Sequence, residues 1–252
     1  MPRSRFGAEG PGSPVPMRRQ QEIGASTDPA DGRLSARPGT AGDPDRRPGL
    51  ATLGLGGSRD GVLYVPATYR AGVAAPLSVK LHGAGGDGRG GLRPFLPLAD
   101  AAGMLLLGVD ARGPTWDVIR GGFGPDIAFL DEAMADVFEH FSVDAARISI
   151  EGFSDGASYA LSVGLTNGDL FSSIVAFSPG FMRPAELRGR PGIFVSHGVR
   201  DNVLPIDRCS RRIVPQLRDA GYSVEYREFS GGHTVPADIA VDAEAWASGR
   251  TG

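Results

Sequence analysis

Apolar residues in this chain come in short runs of four to seven, separated by segments in which they recur at helical spacing. The runs predict strands at Gly61–Val65, Leu77–Leu81, Met104–Val109, Arg147–Glu151, Ser173–Phe177, Gly192–Ser196 and Ser223–Phe229. The intervening segments predict helices over 92–102, 126–140, 155–167, 207–220 and 236–247. In the second of these, Asp126 is the expected N-cap and Ile127, Leu130, Met134, Val137 and Phe141 form the buried face. Asp131, Glu132, Asp136 and Glu139 are then a solvated face rather than an acid pair. Strands that are apolar on both faces and alternate with helices predict an α/β protein with a mostly parallel sheet of about eight strands, covered on both sides. The longest apolar run, Met104 to Val109, is far short of the roughly 18 residues of a membrane span.

Composition changes the picture at one end. The 252 residues include 38 Gly and 20 Pro, and residues 1–50 hold 8 of each together with 8 Arg and few large apolar side chains. Such a segment buries too little surface to offset its chain entropy, so it is expected to be a disordered tail, with the catalytic domain over 51–252. Met17 is a candidate start within that tail. Residues 1–16 lack an apolar core, and Arg18-Arg19 leads into Gln20-Gln21-Glu22, which points to a cytoplasmic protein. A net charge of −3 and a pI near 5.8 give no electrostatic footprint for nucleic acid or an anionic membrane. The expected partner is a small molecule, and the chain a monomer or dimer. Cys209 is the single cysteine, which excludes an internal disulfide or a thiolate metal cluster, and it is read as a small surface or half-buried residue on a helix. Neither a metal nor a cofactor is implied.

Gly152-Phe153-Ser154-Asp155-Gly156 matches G-x-S-x-G between a strand and a helix. A serine on so sharp a turn is exposed above the sheet at the positive end of the helix, and the two glycines let neighbouring backbone pass close by. In a Gly-rich chain the pentapeptide alone is weak, a plain glycine turn being the alternative. A hydroxyl is a poor nucleophile without a base, so an acid and a histidine should follow in that order. Asp201 follows the strand ending at Ser196-His197-Gly198, and His233 lies in the glycine loop after the last strand. Of the four histidines, His140 ends a helix, His197 precedes the acid as a turn hydrogen-bonder and His82 belongs to an earlier loop, which leaves His233 as the base.

That earlier loop, Leu81-His82-Gly83-Ala84-Gly85-Gly86, follows a strand and offers backbone N–H groups to a carbonyl oxygen. The expected oxyanion donors are the amide of Ala84, with Gly83 second, and the amide of Asp155. Gly83, Gly85 and Gly88 give neither G-x-G-x-x-G nor a P-loop lysine, so a phosphate cradle is the weaker reading. Trp116, Phe123 and Phe181, with Leu204 beside Asp201, are the candidates for the substrate pocket, ordinary packing being the alternative for each aromatic residue.

These four motifs in order resemble the α/β-hydrolase superfamily, and within it small serine esterases similar to the phospholipase/carboxylesterase, dienelactone-hydrolase and polyhydroxybutyrate-depolymerase-like groups. The resemblance covers residues 60–247. It implies a three-layer sandwich with Ser154 as nucleophile, Asp201 as acid and His233 as base, hydrolysing carboxylic esters through an acyl-enzyme. Dienelactone hydrolases carry a cysteine nucleophile, so the serine favours a general ester hydrolase. Only Ser178 to Pro191 lie between Phe177 and Gly192, too few for a helical cap, and an uncapped site favours short-chain acyl esters. A thioesterase, acyltransferase or peptidase would use the same three residues, and a binding protein on an inactive scaffold is the non-enzymatic alternative.

Overall fold

The computed structural model describes residues 29–39 and 48–249. Eight strands form one sheet: β1 (Gly49–Thr52), β2 (Gly61–Val65), β3 (Ala75–Leu81), β4 (Leu105–Val109), β5 (Val143–Phe153), β6 (Ser173–Phe177), β7 (Gly192–Gly198) and β8 (Val224–Phe229). Their order is β1-β2-β4-β3-β5-β6-β7-β8, antiparallel through β2 and parallel from β4 to β8. Seven helices connect them: α1 (Gly88–Leu92), α2 (Leu96–Ala102), α3 (Asp117–Arg120), α4 (Pro125–His140), α5 (Asp155–Thr166), α6 (Ser210–Asp219) and α7 (Ala237–Ala247).

Alternation along the strands divides the interior in two. Leu77, Val79 and Leu81 of β3 join the larger core with α4, α5 and α6, whereas Leu106, Val175, Phe177 and Phe194 join a smaller core with Leu92, Phe95, Ala99, Ile239, Ala240 and Ala243 from the opposite layer. The result is the three-layer α/β-hydrolase sandwich. No described helix is long and apolar enough to cross a membrane.

The N-terminal expectation needs correcting. Residues 29–39 were assigned to a disordered tail, yet they lie along α4 and α5 with Leu34 and Ala36 buried. Asn167 accepts from the Leu34 amide at 2.9 Å, Asp131 accepts from the amides of Ser35 and Ala36 at 2.8 Å each, and Arg33 pairs with Asp169 at 2.9 Å. Asp131, expected to be merely solvated, is thus a clamp for this arm. Strand β1 also begins inside the supposed tail, while the rest of that segment, residues 1–28 and 40–47 with Met17, falls outside the described residues.

The smaller core holds an unexpected ionic cluster. Lys80 of β3, 2 % exposed, donates to Glu151 of β5 at 2.5 Å and to Glu244 of α7, and its ammonium lies 3.9 Å from the centre of the Phe95 ring. Glu151 also accepts from Ser78 and Ser149 at 2.7 Å each. Burial by itself would raise Glu151, but the Lys80 charge and these three hydrogen bonds outweigh it and hold the carboxyl low. Burial and the Glu151 charge together push Glu244 up to about 8, against its ordinary 4.5. One ammonium serves two carboxylates, and the less well-bonded one keeps the proton. Between about pH 4.5 and 8 the folded state therefore holds a proton that the unfolded chain releases, so this contribution to stability is complete at the acid end and fades as pH rises. Glu244→Gln should flatten that decline, measured as the urea midpoint at stepped pH; an unchanged slope would contradict the assignment.

Candidate active site

Five strand ends build one rim. The parallel register sets Leu81 beside Gly152, Phe153 beside Phe177, and Gly198 beside Phe229, so the loops after β3, β5, β6, β7 and β8 emerge at the same edge. Open α/β sheets bind ligands outside these carboxyl ends.

Ser154 occupies the turn from β5 into α5 with φ 58° and ψ −118°, one of two non-glycine residues at positive φ among those described. A conformation of this kind costs on the order of 1–3 kcal/mol and persists only where the surroundings enforce it. The two motif glycines provide the enforcement. A Cβ on Gly152 would come within 2.2 Å of the Gly156 carbonyl oxygen, and one on Gly156 within 2.1 Å of the Leu81 carbonyl oxygen. Backbone fills both places, so the motif spacing reflects close packing of β3, β5 and α5 and is more than a plain turn.

His233 reaches over from the loop after β8. Its Nε2 lies 2.8 Å from Ser154 Oγ and its Nδ1 2.6 Å from Asp201 Oδ2. The carboxylate requires the proton on Nδ1, which leaves Nε2 free to accept from the serine hydroxyl. The other oxygen of Asp201 accepts from the amides of Val203 and Leu204 at 2.9 and 2.8 Å. Burial alone would raise Asp201, but hydrogen bonds from Leu204, His233 and Val203 outweigh it and keep the group an anion. Phe153 packs on the other side of His233, ring centres 4.7 Å apart.

The remaining histidines are structural. His197 is fully buried, donates from Nε2 to the Leu204 carbonyl at 2.7 Å and meets Ser210 Oγ through Nδ1 at 2.7 Å, which fixes the turn that carries Asp201. Burial holds its pKa below the usual range. His82 accepts from the Ala111 amide at Nε2 (3.0 Å), so its Nδ1 carries the proton and donates to the Gly83 carbonyl at 2.7 Å. Burial lowers this group too, and the neutral ring ties the loop after β3 to the end of β4. His140, at the end of α4, meets the Asp136 carbonyl at 2.8 Å.

In the glycine loop, the Gly85 amide is taken by Pro114 and the Gly86 amide by Gly83. The loop's remaining candidates to donate to a ligand are therefore the amides of Gly83 and Ala84. Gly83 lies against the serine: a Cβ there would be 3.5 Å from Ser154 Cβ. Across the turn, the side chain of Asp155 accepts from Thr115 Oγ1 at 2.5 Å, which leaves its amide at the head of α5. Thr115 was not foreseen, because nothing in a sequence signals a hydroxyl meeting a carboxylate 40 positions away.

Of the four expected pocket residues, Trp116 is a correction. It is 1 % exposed, donates from Nε1 to the His82 carbonyl at 2.9 Å and stacks on Tyr159 at 4.7 Å, so it braces the loop from within the core. Phe123 packs on Tyr159 at 6.2 Å and covers Gly32 of the arm. Phe181 and Leu204 lie on the rim, where Ser158 accepts from the Gly180 amide at 2.9 Å and Leu204 lies against Gly180. Among the described residues no cluster of three or more His, Cys, Asp or Glu could hold a metal ion.

Comparison with known proteins finds likeness to esterases. A family model for phospholipase/carboxylesterase matches residues 127–244, a span that includes Ser154, Asp201 and His233 but not the loop at 81–86. The solved structure of esterase PE8 is 26% identical, with a TM-score of 0.61 over 75% of this chain and 97% of that one. A ferulic acid esterase from Anaeromyces mucronatus, bound to ferulic acid, is 17% identical at a TM-score of 0.57, over 73% of this chain and 82% of its own. The Bacillus cereus carboxylesterase is 19% identical at a TM-score of 0.54, over 77% and 95%. The last two likenesses are likenesses of fold.

Proposed function

We propose that this α/β-hydrolase, an enzyme acting on ester bonds, works as a serine carboxylesterase through Ser154, His233 and Asp201. The observation that carries the reading is the continuous chain of hydrogen bonds from Ser154 Oγ through both nitrogens of His233 to Asp201. In the first half-reaction His233 Nε2 takes the Ser154 proton as Oγ attacks the ester carbonyl. The oxyanion is held by the amides of Ala84 or Gly83 and of Asp155. Collapse breaks the bond to the alcohol oxygen, which takes the proton back from His233 and departs. In the second half-reaction water gives a proton to Nε2 as it attacks the acyl carbon, and collapse breaks the bond to Ser154 Oγ, which takes the proton back from Nε2 as the acid leaves. Asp201 keeps the proton on Nδ1 throughout and stabilises the transient imidazolium.

The segment 178–191 carries neither helix nor strand, which supports a site without a helical cap and a preference for short acyl chains. A fluorophosphonate probe should label Ser154, and p-nitrophenyl acetate and butyrate should be hydrolysed. Values of kcat/KM that rise from acetyl to palmitoyl esters would overturn the chain-length reading, and an unlabelled Ser154 would overturn the mechanism.

A further inference from the structure

A cavity of about 600 Å³ opens on the face of the sheet away from α5, between α1, α2 and α7. Its lining includes Gly83, Ala84 and Phe153, the buried Lys80 and Glu151, Leu98 of α2 and Ala240 of α7, but not Ser154 or His233 themselves. Its volume falls within the roughly 300–1,000 Å³ of small-molecule pockets. None of the four residues expected to contact substrate lines it.

Three features tie it to the reacting ester. Gly83 and Ala84 supply both a wall of the cavity and the amides on which the carbonyl oxygen would rest. Phe153, which precedes Ser154, has its ring against His233 and also lines the cavity. A Cβ added at Gly83 would stand in ordinary contact with Phe153 at 3.4 Å and Ser154 Cβ at 3.5 Å, which sets this stretch of the cavity wall against the serine.

The walls select the chemistry of the occupant. Phe95, Phe153, Phe177, Leu98, Val235 and Ala240 are apolar. The ionic floor is internally satisfied: Lys80 donates to Glu151 and Glu244 and faces the Phe95 ring, and Glu151 accepts from both serines. A polar group arriving there would lose water and gain no free partner.

We propose that this cavity binds one compact apolar substituent of the ester, an aryl ring or branched alkyl group, and makes such esters better substrates than simple acetates or long-chain esters. The proposal rests on the serine-esterase reading. Its test compares kcat/KM by pH-stat on ethyl acetate, ethyl phenylacetate and benzyl acetate, which places the aryl group on neither side, the acyl side or the alcohol side. Two variants fill the cavity: Ala240→Phe from the inner wall, and Val241→Trp from the rim, where Val241 is 49 % exposed and the fold tolerates bulk.

The wild type should favour at least one aryl ester over ethyl acetate, and filling should cut that ester by about tenfold or more while ethyl acetate stays within about twofold. Which aryl ester falls identifies the side. Equal losses on all three esters, or none, in a folded Val241→Trp protein would overturn the proposal. Failure of a fluorophosphonate to label Ser154 would instead mark failure of the underlying reading. Benzylacetone and 1-phenyl-2-pentanone, the methylene isosteres of benzyl acetate and ethyl phenylacetate, then decide on the cavity alone by calorimetry. Binding of either to the wild type but not to Val241→Trp upholds it, and equal or absent binding of both overturns it.

Discussion

Ser154→Ala is expected to reduce hydrolysis of p-nitrophenyl butyrate by about ten-thousand-fold or more, with little change in melting temperature. The substitution removes one oxygen whose partner is His233 Nε2. Backbone strain at this position is set by φ 58° and by the packing of Gly152 and Gly156, both of which an alanine inherits. What disappears is the oxygen proposed to form the acyl bond, whereas the proposed donors to the carbonyl oxygen stay and should sustain a small residual rate. His233→Ala should cost a similar amount, and the double variant little more than either, because the two act as one unit. Wild-type and Ser154→Ala proteins, purified side by side and followed at 405 nm with matched circular dichroism, provide the comparison. Equal activity in both would show that another group attacks the ester.

The largest stability effect is expected at Lys80. Lys80→Met should lower the unfolding free energy by about 3–5 kcal/mol, read from the urea midpoint at neutral pH. The ammonium is buried between Glu151 and Glu244, and methionine keeps its length while removing its charge. Glu151 then stays in a dry interior with two serine hydroxyls as its remaining donors. Removing the stranded charge as well should restore part of the loss, so Lys80→Met with Glu151→Gln is expected to be more stable than Lys80→Met alone. If the double variant is instead less stable by the sum of the two single losses, the pair is not energetically coupled.

The rim and the meeting there of Ser154, Asp201 and His233 were legible because each is bound to a local signal. A glycine-bracketed serine after an apolar strand, an acid after the next strand but one, and a histidine in a glycine loop all mark strand ends, and parallel strands bring their ends to one edge. Strand β6 was read to the residue, since Ser173–Phe177 is an apolar run with clear boundaries. Strand β1 was not, because Gly49–Thr52 carries one large apolar residue within a Gly- and Pro-rich stretch. The ordered arm escaped for a different reason: its anchors, Asp131, Asn167 and Asp169, lie 95 to 136 residues away, and its own composition is that of a loop. Trp116 was misread because a large aromatic residue after a strand end suits a binding wall as well as a brace, and burial decides between them. Lys80 and Glu151 were visible as charges inside apolar strands, but only the register of β3 against β5 shows that they face each other.

The arm at 29–39 has a practical consequence for anyone trimming or tagging this protein. A shortened version starting at β1 would keep every residue of the rim and still lose a covering strip, leaving Asp131 and Asp169 without the amides and guanidinium they now hold and baring the apolar surface beneath Leu34 and Ala36. Such a version should express poorly and self-associate while keeping its catalytic groups in place. A tag joined ahead of Pro29 leaves that strip whole, so the useful boundary for preparation lies about twenty residues before the one that amino-acid composition suggests.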